Sequence, residues 1–599
     1  MENRNIREQF QNQIEKWVEQ DKERIISFFS RLVQCETSSD HGDTRSASAL
    51  IKELLEQEGL SCREIKANEI MPNLISAINT GKPGRHLMFN GHLDVMPAGN
   101  EPGWTDSPWS GKIADGKVWG RGSSDMKAGA AAMLFAYIYL SRLRGQFPGK
   151  VSLTLVSDEE TGYERGTGFL FEQMEREMLA DCVLTGEPSG TNAISFSSKG
   201  YIQFTVKIQT RGAIAGYSNE SRSAIEIAAS VIQELKKLET IKVTLPAVLS
   251  EMLMDNKLRK QYEDRRGRGE AELLNRITVD VTTIKGGDLL SVIAPECTFT
   301  VAVVTPVGAD PYLIYKKAQE MISHYSEAEL VLEGISVADI SDPDHEMVKI
   351  LQDTVTGLGW EKPEPVPDIA ISDCRHWRYR GIPAFWYGPD GSRCSAANEY
   401  VSIDELLHLV RTHTLAAVQY LVNGTAKPAC KKKNITETAR CESFAPEICS
   451  IPSVYAACMT GIADSFKSSI LDSTINELLD TLYGRLTEQN ILAGAAAIVV
   501  MEQKKIEGKN KVLVTAAFPV DRNVDSAKGF ELKELPEIRT AAAVVHRGSK
   551  STASSWSALC RFASENGYKD KGIYRENYIV SAPNPANQWA TELQLPLNE

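Results

Sequence analysis

The first 196 residues alternate helical periods with short runs that are apolar throughout. These runs include "NLISAI", "RHLMFNGH", "KVSLTLVSDEE" and "CVLTGEP". Strands of this kind are typical of a sheet that helices bury on both faces. The pattern therefore predicts an α/β domain, which resumes over residues 312–425 and closes with the helical segment "SIDELLHLVRTHTLAAVQYLV".

Between these two stretches, residues 197–311 follow a different pattern. The segment "SFSSKGYIQFTVKIQT" alternates polar and apolar positions, as a strand with one exposed face does, and "SAIEIAASVIQELKKL" has the period of an amphipathic helix. Two further alternating runs, "ITVDVTTIKGG" and "CTFTVAVVT", complete the segment. We expect a small α+β domain inserted into the α/β domain.

The C-terminal part begins after a linker, which we place at residues 426–444 because this stretch has no periodicity and carries Lys, Thr and Pro. Over residues 445–599 a strand–helix–strand–strand order occurs twice. The first copy begins at "SVYAACMTGI" and the second at "RTAAAVVHRG". A repeated βαββ unit predicts one compact α+β domain built from two halves.

Composition narrows the class of protein. A chain of 599 residues is too long for one core, so two to four domains are expected. The net charge of −13, without a long basic block, argues against a nucleic-acid partner. No window reaches 18 apolar residues, so we expect no membrane span. Eleven scattered cysteines without a CxxC pair favour a reducing, cytoplasmic setting.

Acidic residues gather at the ends of the apolar runs. His92 and Asp94 follow "LMFNG", Asp125 lies in "GRGSSDMKAG", Glu159 and Glu160 follow "VSLTLVS", and Glu187 lies in "LTGEPSG". In an open α/β sheet the crevice beyond the strand ends is where ligands bind. Carboxylates gathered there repel one another unless a cation lies between them, and a histidine with carboxylates suits Zn²⁺ or a similar divalent ion.

These motifs together resemble a known family. "GHLDVMP", "GKIADGKVWGRGSSDMKAG", "SDEETG" and "GEPSG" are similar to segments of the zinc aminoacylase and carboxypeptidase family, which includes acetylornithine deacetylase and succinyl-diaminopimelate desuccinylase. The resemblance covers about residues 15–425. It implies a metallopeptidase-like α/β catalytic domain with an inserted lid domain, a small-molecule substrate with an N-acyl or peptide-like bond, and a possible homodimer through the lid.

The resemblance also implies a role for each side chain of the acidic group. Four would be metal ligands and two catalytic: His92 and Glu187 on the first metal, Asp125 bridging both metals, Glu160 on the second, Glu159 as general base and Asp94 as the partner of the far ring nitrogen of His92. In this scheme the metal lowers the pKa of water, and the adjacent carboxylate takes a proton as that water attacks an amide carbonyl.

Several positions depart from the family pattern. Ser395, in "YGPDGSRCSAANEY", stands where the family has its last histidine ligand, and a hydroxyl is a poor zinc ligand. We therefore expect one firm zinc site and a second that is weak or empty. In the lid, Gly216 stands at the position of the family's histidine, or that residue is deleted. Ser291 replaces the family's asparagine, and Ala302–Val303–Val304 replaces its Asp-x-Arg.

Other histidines could compensate for the missing ligand. His376, in "ISDCRHWRYRG", is the best candidate, although a surface role is the more common alternative; Asp373 matches a site-facing aspartate of the family. With Ser395, these two are candidate substrate-binding residues. His324, His408 and His413 fall in helical patterns and are expected on surfaces.

The tail resembles the gyrase-inhibitor-like, or effector-binding, domain of multidrug-responsive regulators. The doubled βαββ unit, "VVHRG", "YREN" and the closing "TELQLP" support this over residues 445–599. The resemblance implies a cleft for an apolar cation, with Glu592 as its carboxylate and Trp556, Tyr578 and Trp589 as its wall. The alternative for each aromatic residue is core packing.

Three functions remain open from the sequence. The first is a metal-dependent amidohydrolase with an incomplete second metal site. The second is a catalytically degenerate hydrolase that binds or sequesters a small molecule. The third places catalysis or ligand binding in the C-terminal domain. The set of retained acidic residues favours the first, whereas the missing histidine and lid residues favour the second.

Overall fold

The computed structural model describes most of the chain, and its gaps are short apart from the predicted linker. The described residues are 2–99, 103–162, 165–266, 269–424, 446–466, 468–489, 491, 493, 496–506, 508–520, 522–524, 528–547, 552–581 and 589–598. The linker predicted at 426–444 lies outside them. The described residues form two compact units, one of 2–199, 245–275 and 338–424, the other of 200–244, 276–337 and 446–598.

Five helices and eight strands occupy the N-terminal part of the first unit. They are α1 (Glu2–Gln20), α2 (Lys22–Gln34), α3 (Arg45–Gln57), β1 (Arg63–Asn68), β2 (Met71–Asn79), β3 (His86–His92), β4 (Lys112–Ala114), β5 (Lys117–Trp119), α4 (Ala128–Arg142), β6 (Lys150–Val156), α5 (Thr167–Met178), β7 (Cys182–Thr185) and β8 (Ala193–Ser198).

The inserted region continues the chain. Its elements are β9 (Gly200–Gln209), β10 (Ala213–Ile214), α6 (Ala224–Lys236), α7 (Ala247–Leu253), α8 (Asn256–Arg266), α9 (Glu270–Leu273), β11 (Thr278–Gly286), β12 (Val292–Ile293), β13 (Glu296–Thr305), α10 (Pro311–Ile322) and β14 (Ala328–Ser336). The first unit then resumes with β15 (Asp339–Ile340), α11 (Glu346–Gly357), β16 (Glu364–Pro367), α12 (Cys374–Arg378), β17 (Ala384–Trp386), β18 (Tyr400–Ser402) and α13 (Ile403–Val422).

The C-terminal domain, residues 446–598, completes the chain. It contains β19 (Glu447–Ile451), β20 (Val454–Ala463), α14 (Ser468–Glu488), β21 (Ala497–Ile506), β22 (Lys509–Pro519), β23 (Glu531–Leu535), β24 (Ile538–Arg547), α15 (Ala553–Glu565), β25 (Lys569–Asp570), β26 (Ile573–Val580) and β27 (Ala590–Asn598). Across the described residues of the whole chain, no helix has both the length and the apolar character that crossing a membrane requires.

A nine-stranded sheet forms the centre of the first unit. Its order is β1-β2-β6-β3-β7-β17-β8-β15, with β16 beside β8. The strands β6, β3, β7 and β17 are parallel neighbours, so their carboxyl ends meet at one edge. Helix α4 is buried over its whole length except its last residues, because the sheet and other helices enclose it. The α/β prediction is confirmed. His92 ends β3, Glu159 and Glu160 follow β6, and Glu187 follows β7, whereas Asp125 follows β5, which lies outside this sheet.

The inserted α+β module differs from the prediction in its boundaries. Its sheet has the order β11-β13-β9-β14, and β14 pairs antiparallel with β9. The predicted end of the lid at residue 311 is therefore wrong, because α10 and β14 belong to this module. Residues 245–275, predicted within the lid, lie with the catalytic unit instead. We call residues 200–244 and 276–337 the lid module.

The C-terminal domain has the predicted doubled βαββ architecture. Its sheet runs β19-β24-β27-β26-β21-β22-β20-β23, with β25 beside β27. The two halves meet where β21 pairs with β26. Helix α14 packs against β20 and β22 of one half, and α15 packs against β24 and β27 of the other. Both helices therefore lie on one face of this sheet. We call the opposite face, which neither helix covers, the bare face.

Helix α13 carries two histidines whose predicted surface location is wrong. His408 and His413 are both buried, and His408 Nε2 lies 2.7 Å from the hydroxyl of Tyr387. The ring of His413 meets Phe89 edge-on at 6.0 Å. Polar residues at helical spacing suggested that α13 has an exposed face, but this helix is buried on nearly every side. By contrast, His324 lies in an exposed turn.

Buried His413 predicts a pH-dependent stability. Burial lowers the pKa of its ring to about 4, from 6.5 in the ordinary case. The unfolded chain thus takes up a proton at a higher pH than the folded chain, so stability is full above pH 6.5 and falls as the pH decreases. Between pH 7 and pH 5, His413→Phe is expected to lose about 2 kcal/mol less of its unfolding free energy than the parent, as measured by urea denaturation.

The exposed His324→Phe serves as the matched control for this comparison. It should follow the parent at both pH values. Equal pH dependence for the parent and His413→Phe would contradict the buried neutral state of His413.

Candidate metal centre

The predicted ligands of the first metal come together at the carboxyl edge of the central sheet. His92, the last residue of β3, has its Nε2 atom 3.4 Å from Oδ1 of Asp125 and 3.6 Å from Oε2 of Glu187. Ligand-type atoms of His92, Asp125 and Glu160 all lie within 4.8 Å of one another. Residues from four separate segments of the chain thus converge on one small volume.

The electrostatics of this volume fit a cation. Burial raises the pKa of Glu187 to about 8, and burial together with Asp125 raises that of Glu160 well above its ordinary value. Burial opposes the charged form of His92, but the nearby carboxylates, Glu187 first, still raise its pKa well above 6.5. Acids that resist ionisation beside one another are those that a divalent cation stabilises. The imidazole and carboxylates form a donor set that suits zinc.

Asp94 has a different contact from the predicted one. Nδ1 of His92 donates to the main-chain carbonyl of Asp94 at 2.9 Å, whereas the nearest carboxylate oxygen lies 3.6 Å away. The carboxylate instead accepts the backbone N–H groups of Glu159 and Glu160 at 3.0–3.2 Å. Asp94 therefore orients the ring through its backbone, and its side chain fixes the turn that carries the predicted base and ligand.

Glu399 and Arg121 hold the loop of Asp125, a role that the sequence did not suggest. The Glu399 carboxylate accepts the backbone N–H of Ser124 at 2.8 Å and that of Asp125 at 3.3 Å. It also pairs with Arg121 at 2.6 Å, and both side chains are almost fully buried, at 0% and 3% exposed. Glu399 lies in the "NEY" that served only as a flank of Ser395, so its motif was visible and its contacts were not.

Arg375 is a second residue that sequence reasoning missed. Its guanidinium lies 3.4 Å from Oε1 of Glu159 and 4.0 Å from Oδ1 of Asp373. All three side chains are at most 10% exposed. A buried cation thus lies beside the predicted general base. The signal was present in "ISDCRHW", between the two residues that were singled out.

The three candidate substrate residues occupy different environments. Asp373 is buried and accepts the hydroxyl of Thr167 at 2.7 Å, and burial raises its pKa to about 6. His376 is buried rather than on the surface, with Nε2 3.6 Å from Asp373 and its ring stacked on Phe171. Ser395 is exposed with a φ of 59°, and its carbonyl accepts from Arg121. Only Asp373 has a contact that joins it to the Arg375–Glu159 pair.

Two of the positions at which the lid module departs from the family pattern, Gly216 and Ser291, lie close together. β10 pairs with β12, and the backbone N–H of Ala215 donates to the carbonyl of Ser291 at 2.8 Å. Gly216 and Ser291 are both exposed and both have positive φ, at 99° and 65°. Gly216 and Ser291 therefore belong to one turn region of the module, whereas Ala302–Val304 lies within β13.

In the C-terminal domain the predicted pocket carboxylate is the wrong one. The indole N–H of Trp556 and the hydroxyl of Tyr578 donate to Glu576, at 3.0 and 2.8 Å. Glu592 lies directly opposite Asn577 in the sheet, and successive residues of a strand point to opposite faces. Glu592 is therefore on the face away from these aromatic rings.

Tyr574 joins Trp556, Tyr578 and Glu576 in a group that we call the Glu576 cluster. Tyr574 meets Trp556 edge-on at 5.3 Å on the same face as Tyr578. Trp589 lies one residue before β27 and is half-buried. Glu576 is 6% exposed and accepts hydrogen bonds from two of these aromatic side chains, whereas the cation-binding cleft that the resemblance implied stays a prediction.

The fold and the metal centre together define a metallopeptidase-type α/β hydrolase. A family model described as peptidase family M20/M25/M40 matches residues 88–419, and one described as a GyrI-like small molecule binding domain matches residues 444–598. The chain belongs to peptidase family M20/M25/M40, and its C-terminal domain is GyrI-like.

Individual relatives agree with this assignment. The chain is 26% identical to succinyl-diaminopimelate desuccinylase 2 of Ruegeria sp. (strain TM1040) over 396 residues, which are 64% of this chain and 91% of the relative. It is 36% identical over 168 residues to the succinyl-diaminopimelate desuccinylase of Cereibacter sphaeroides (strain ATCC 17025 / ATH 2.4.3), covering 27% of this chain and 42% of that one.

Solved structures share the fold. The M20 family metallo-carboxypeptidase Sso-CP2 of Sulfolobus solfataricus superposes with a TM-score of 0.58 at 19% identity, covering 67% of this chain and 98% of that chain. Human carnosine dipeptidase 1 superposes with a TM-score of 0.57 at 13% identity, covering 69% and 99%.

Proposed function

We propose that this protein is a zinc-dependent amide hydrolase of deacylase or peptidase type, acting on an N-acyl or peptide-like small molecule. The observation that carries the proposal is the convergence of His92, Asp125 and Glu187 on one point, with Glu159 beside them. Family membership and desuccinylase relatives support the same reaction class. The alternative, a degenerate hydrolase that only sequesters a ligand, predicts no turnover.

The metal ligands divide between a complete and an incomplete set. His92, Asp125 and Glu187 would hold the first zinc, and three protein ligands with one open position are typical of catalytic zinc. Asp125 and Glu160 would hold the second, where Ser395 stands in place of a histidine. A zinc ion bound here supplies Lewis acidity, lowering the pKa of water and polarising the amide carbonyl.

Glu159 is the proton-transfer residue in this proposal. Its carboxylate accepts a proton from the water that attacks the carbonyl carbon, and then gives it to the amide nitrogen as the C–N bond breaks. The products are a carboxylic acid and an amine. Burial raises the pKa of Glu159, whereas His92 and Arg375, the latter 3.4 Å away, favour the ionised form that this step needs.

Arg375 also supplies a basis for substrate selection. A guanidinium binds carboxylates through parallel N–H donors, and a buried one does so strongly. We infer that a carboxylate of the substrate binds beside Arg375. An anionic acyl group such as succinyl, which the names of the relatives contain, meets this requirement.

Metal content and turnover test the proposal together. After dialysis against zinc and removal of loose metal, about one zinc per chain is expected by elemental analysis. The same preparation should release succinate from N-succinyl-diaminopimelate or a related N-acyl amino acid, and a chelator should abolish both signals. A chain that binds zinc but turns over no member of an N-acyl amino acid panel would support the sequestration alternative.

Ser395→His tests the incomplete second set. An imidazole at this position restores the ligand type that the family has there, so bound zinc is expected to rise from about one to about two per chain. Ser392→His, three residues earlier in the same loop and also exposed, is the matched control and should leave the zinc content unchanged. Two zinc ions in the parent would contradict the weak second site.

We propose a second, separate function for the C-terminal domain, the binding of an aromatic or apolar cation at the Glu576 cluster. The observation that favours it is the buried carboxylate bonded to Trp556 and Tyr578. Such a group attracts a cation through charge and through the faces of the rings. A cytoplasmic location, in keeping with the free thiols of the nine described cysteines, and a homodimer through the lid both stay predictions.

A further inference from the structure

Helix α10 of the lid module packs against the bare face of the C-terminal sheet. Ile314 and Tyr315 of this helix share one buried cluster with Ile579 and Val580 of β26 and with Ala590 of β27. Most of the lid's own core belongs to the same cluster. Two modules joined by a long segment of chain thus have a continuous hydrophobic core.

Two ion pairs frame this contact. Nζ of Lys316 lies 2.6 Å from Oε2 of Glu592, and Arg547 of β24 lies 3.0 Å from Asp310, which caps the first turn of α10. The guanidinium of Arg547 also lies over the ring of Tyr312, 4.8 Å from its centre. The N-terminus and the middle of α10 therefore each have a charged partner in the C-terminal domain.

Glu592 bonds to three side chains at this contact. Besides Lys316, it accepts the side-chain amides of Asn577 at 3.2 Å and Gln594 at 2.6 Å. Burial acts to raise its pKa, but Lys316, Asn577 and Gln594 together outweigh burial and hold the pKa below its usual value. A carboxylate held ionised by a partner in the lid serves as a docking group and is not a free ligand site.

Strand β26 connects the two faces of the sheet. Glu576 and Tyr578 point to the aromatic cluster, while Asn577 and Ile579, alternating with them, point to Glu592 and the lid core. One peptide bond thus separates the candidate ligand carboxylate from the residue that bonds to Glu592. A displacement of β26 at Glu576 moves Asn577 as well.

We propose that the bare face of the C-terminal sheet is a docking surface for α10 of the lid module, and that a cation taken up at the Glu576 cluster loosens this docking through β26. The second half rests on the C-terminal binding function proposed above. An incoming cation replaces the Trp556 and Tyr578 donors on Glu576, β26 shifts toward the helices, and Asn577 withdraws from Glu592. The contiguous chain of contacts runs Glu576, Asn577, Glu592, Lys316.

The docking surface is tested without any ligand, in the full chain. Lys316→Met keeps the length of the side chain but leaves Glu592 without its buried counter-charge, so amide hydrogen exchange in residues 311–322 is expected to rise about tenfold. Lys317→Met is the matched control, because this neighbouring lysine is exposed and its ion pair within the described residues is with Glu320 of the same helix.

A double variant with reversed charges distinguishes the loss of the ion pair from general misfolding. Lys316→Glu combined with Glu592→Lys restores the pair in reverse, and exchange should return close to the parent rate. Equal exchange in Lys316→Met and Lys317→Met would overturn the docking surface.

The coupling is tested with tetraphenylphosphonium, an aromatic cation. Its binding, followed by tryptophan fluorescence, should speed exchange in residues 311–322 of the parent about threefold or more, and Glu576→Gln should weaken binding about tenfold. Binding with unchanged or slower exchange would overturn the coupling alone. No binding to the parent would overturn the Glu576 site and the coupling with it, while leaving the docking surface and the hydrolase proposal to their own tests.

Discussion

Replacing Glu159 by glutamine is expected to lower kcat/KM for amide hydrolysis by about 10³-fold, because the amide cannot accept the proton of the attacking water. Glutamine keeps the shape of the side chain and its reach toward Arg375. The bound zinc should therefore remain at the parent level, since Glu159 is not one of the proposed ligands. Initial rates with the substrate identified in the N-acyl panel, together with elemental analysis of the same samples, measure both quantities.

Glu172→Gln provides the control for this substitution. Glu172→Gln makes the same chemical change at an exposed residue of α5, so the kcat/KM of this variant should equal that of the parent. If Glu159→Gln retained parental activity, the general-base assignment would be wrong even if zinc were bound as expected.

Arg121→Met is expected to lower the free energy of unfolding of the catalytic unit by about 3–5 kcal/mol, because it strands the Glu399 carboxylate in a buried place without its counter-charge. Glu399 is 0% exposed and holds the backbone of Ser124 and Asp125. Affinity for zinc should fall as well, since the loop that presents Asp125 loses its anchor. Urea denaturation and a zinc competition assay measure the two effects.

The control for Arg121 is another basic residue of the same region with an exposed partner. Lys112 pairs with Asp106 at 2.8 Å, and both side chains are more than 40% exposed. Lys112→Met should change the unfolding free energy by less than about 1 kcal/mol. A similar loss in both variants would mean that burial of the Arg121–Glu399 pair is not what stabilises this loop.

The strand ends of the catalytic unit could be read from the sequence because their signal is local. A strand buried on both faces is apolar throughout, and the polar residues directly after it must lie at the sheet edge. His92 and Glu187 follow from this rule without knowledge of any distant contact. The order of strands then decides which ends are neighbours, and the parallel pairing of β3 with β6 and β7 brings these two residues together.

The contacts that could not be predicted from the sequence join residues that lie far apart along the chain. Nothing near Glu592 reveals that Lys316 will neutralise it, and so the choice between Glu576 and Glu592 could not be made from "YREN" and "TELQLP". The end of the lid was misplaced for the same reason, since β14 joins its sheet only through pairing with β9. The burial of His413 likewise depends on what surrounds α13, which its own period does not record.

The covered face of α10 has a consequence for experiments on the hydrolase alone. A chain cut at residue 424 would expose the side of α10 that carries Tyr312 and Lys316, and Lys316 would lose its ion pair with Glu592. Such a fragment would expose a lid surface that the C-terminal domain normally covers. Its self-association would therefore result from the loss of that domain and would not show the oligomeric state of the intact chain. The GyrI-like domain is in this sense a fitted part of the hydrolase, and the intact polypeptide is the unit whose oligomeric state has meaning.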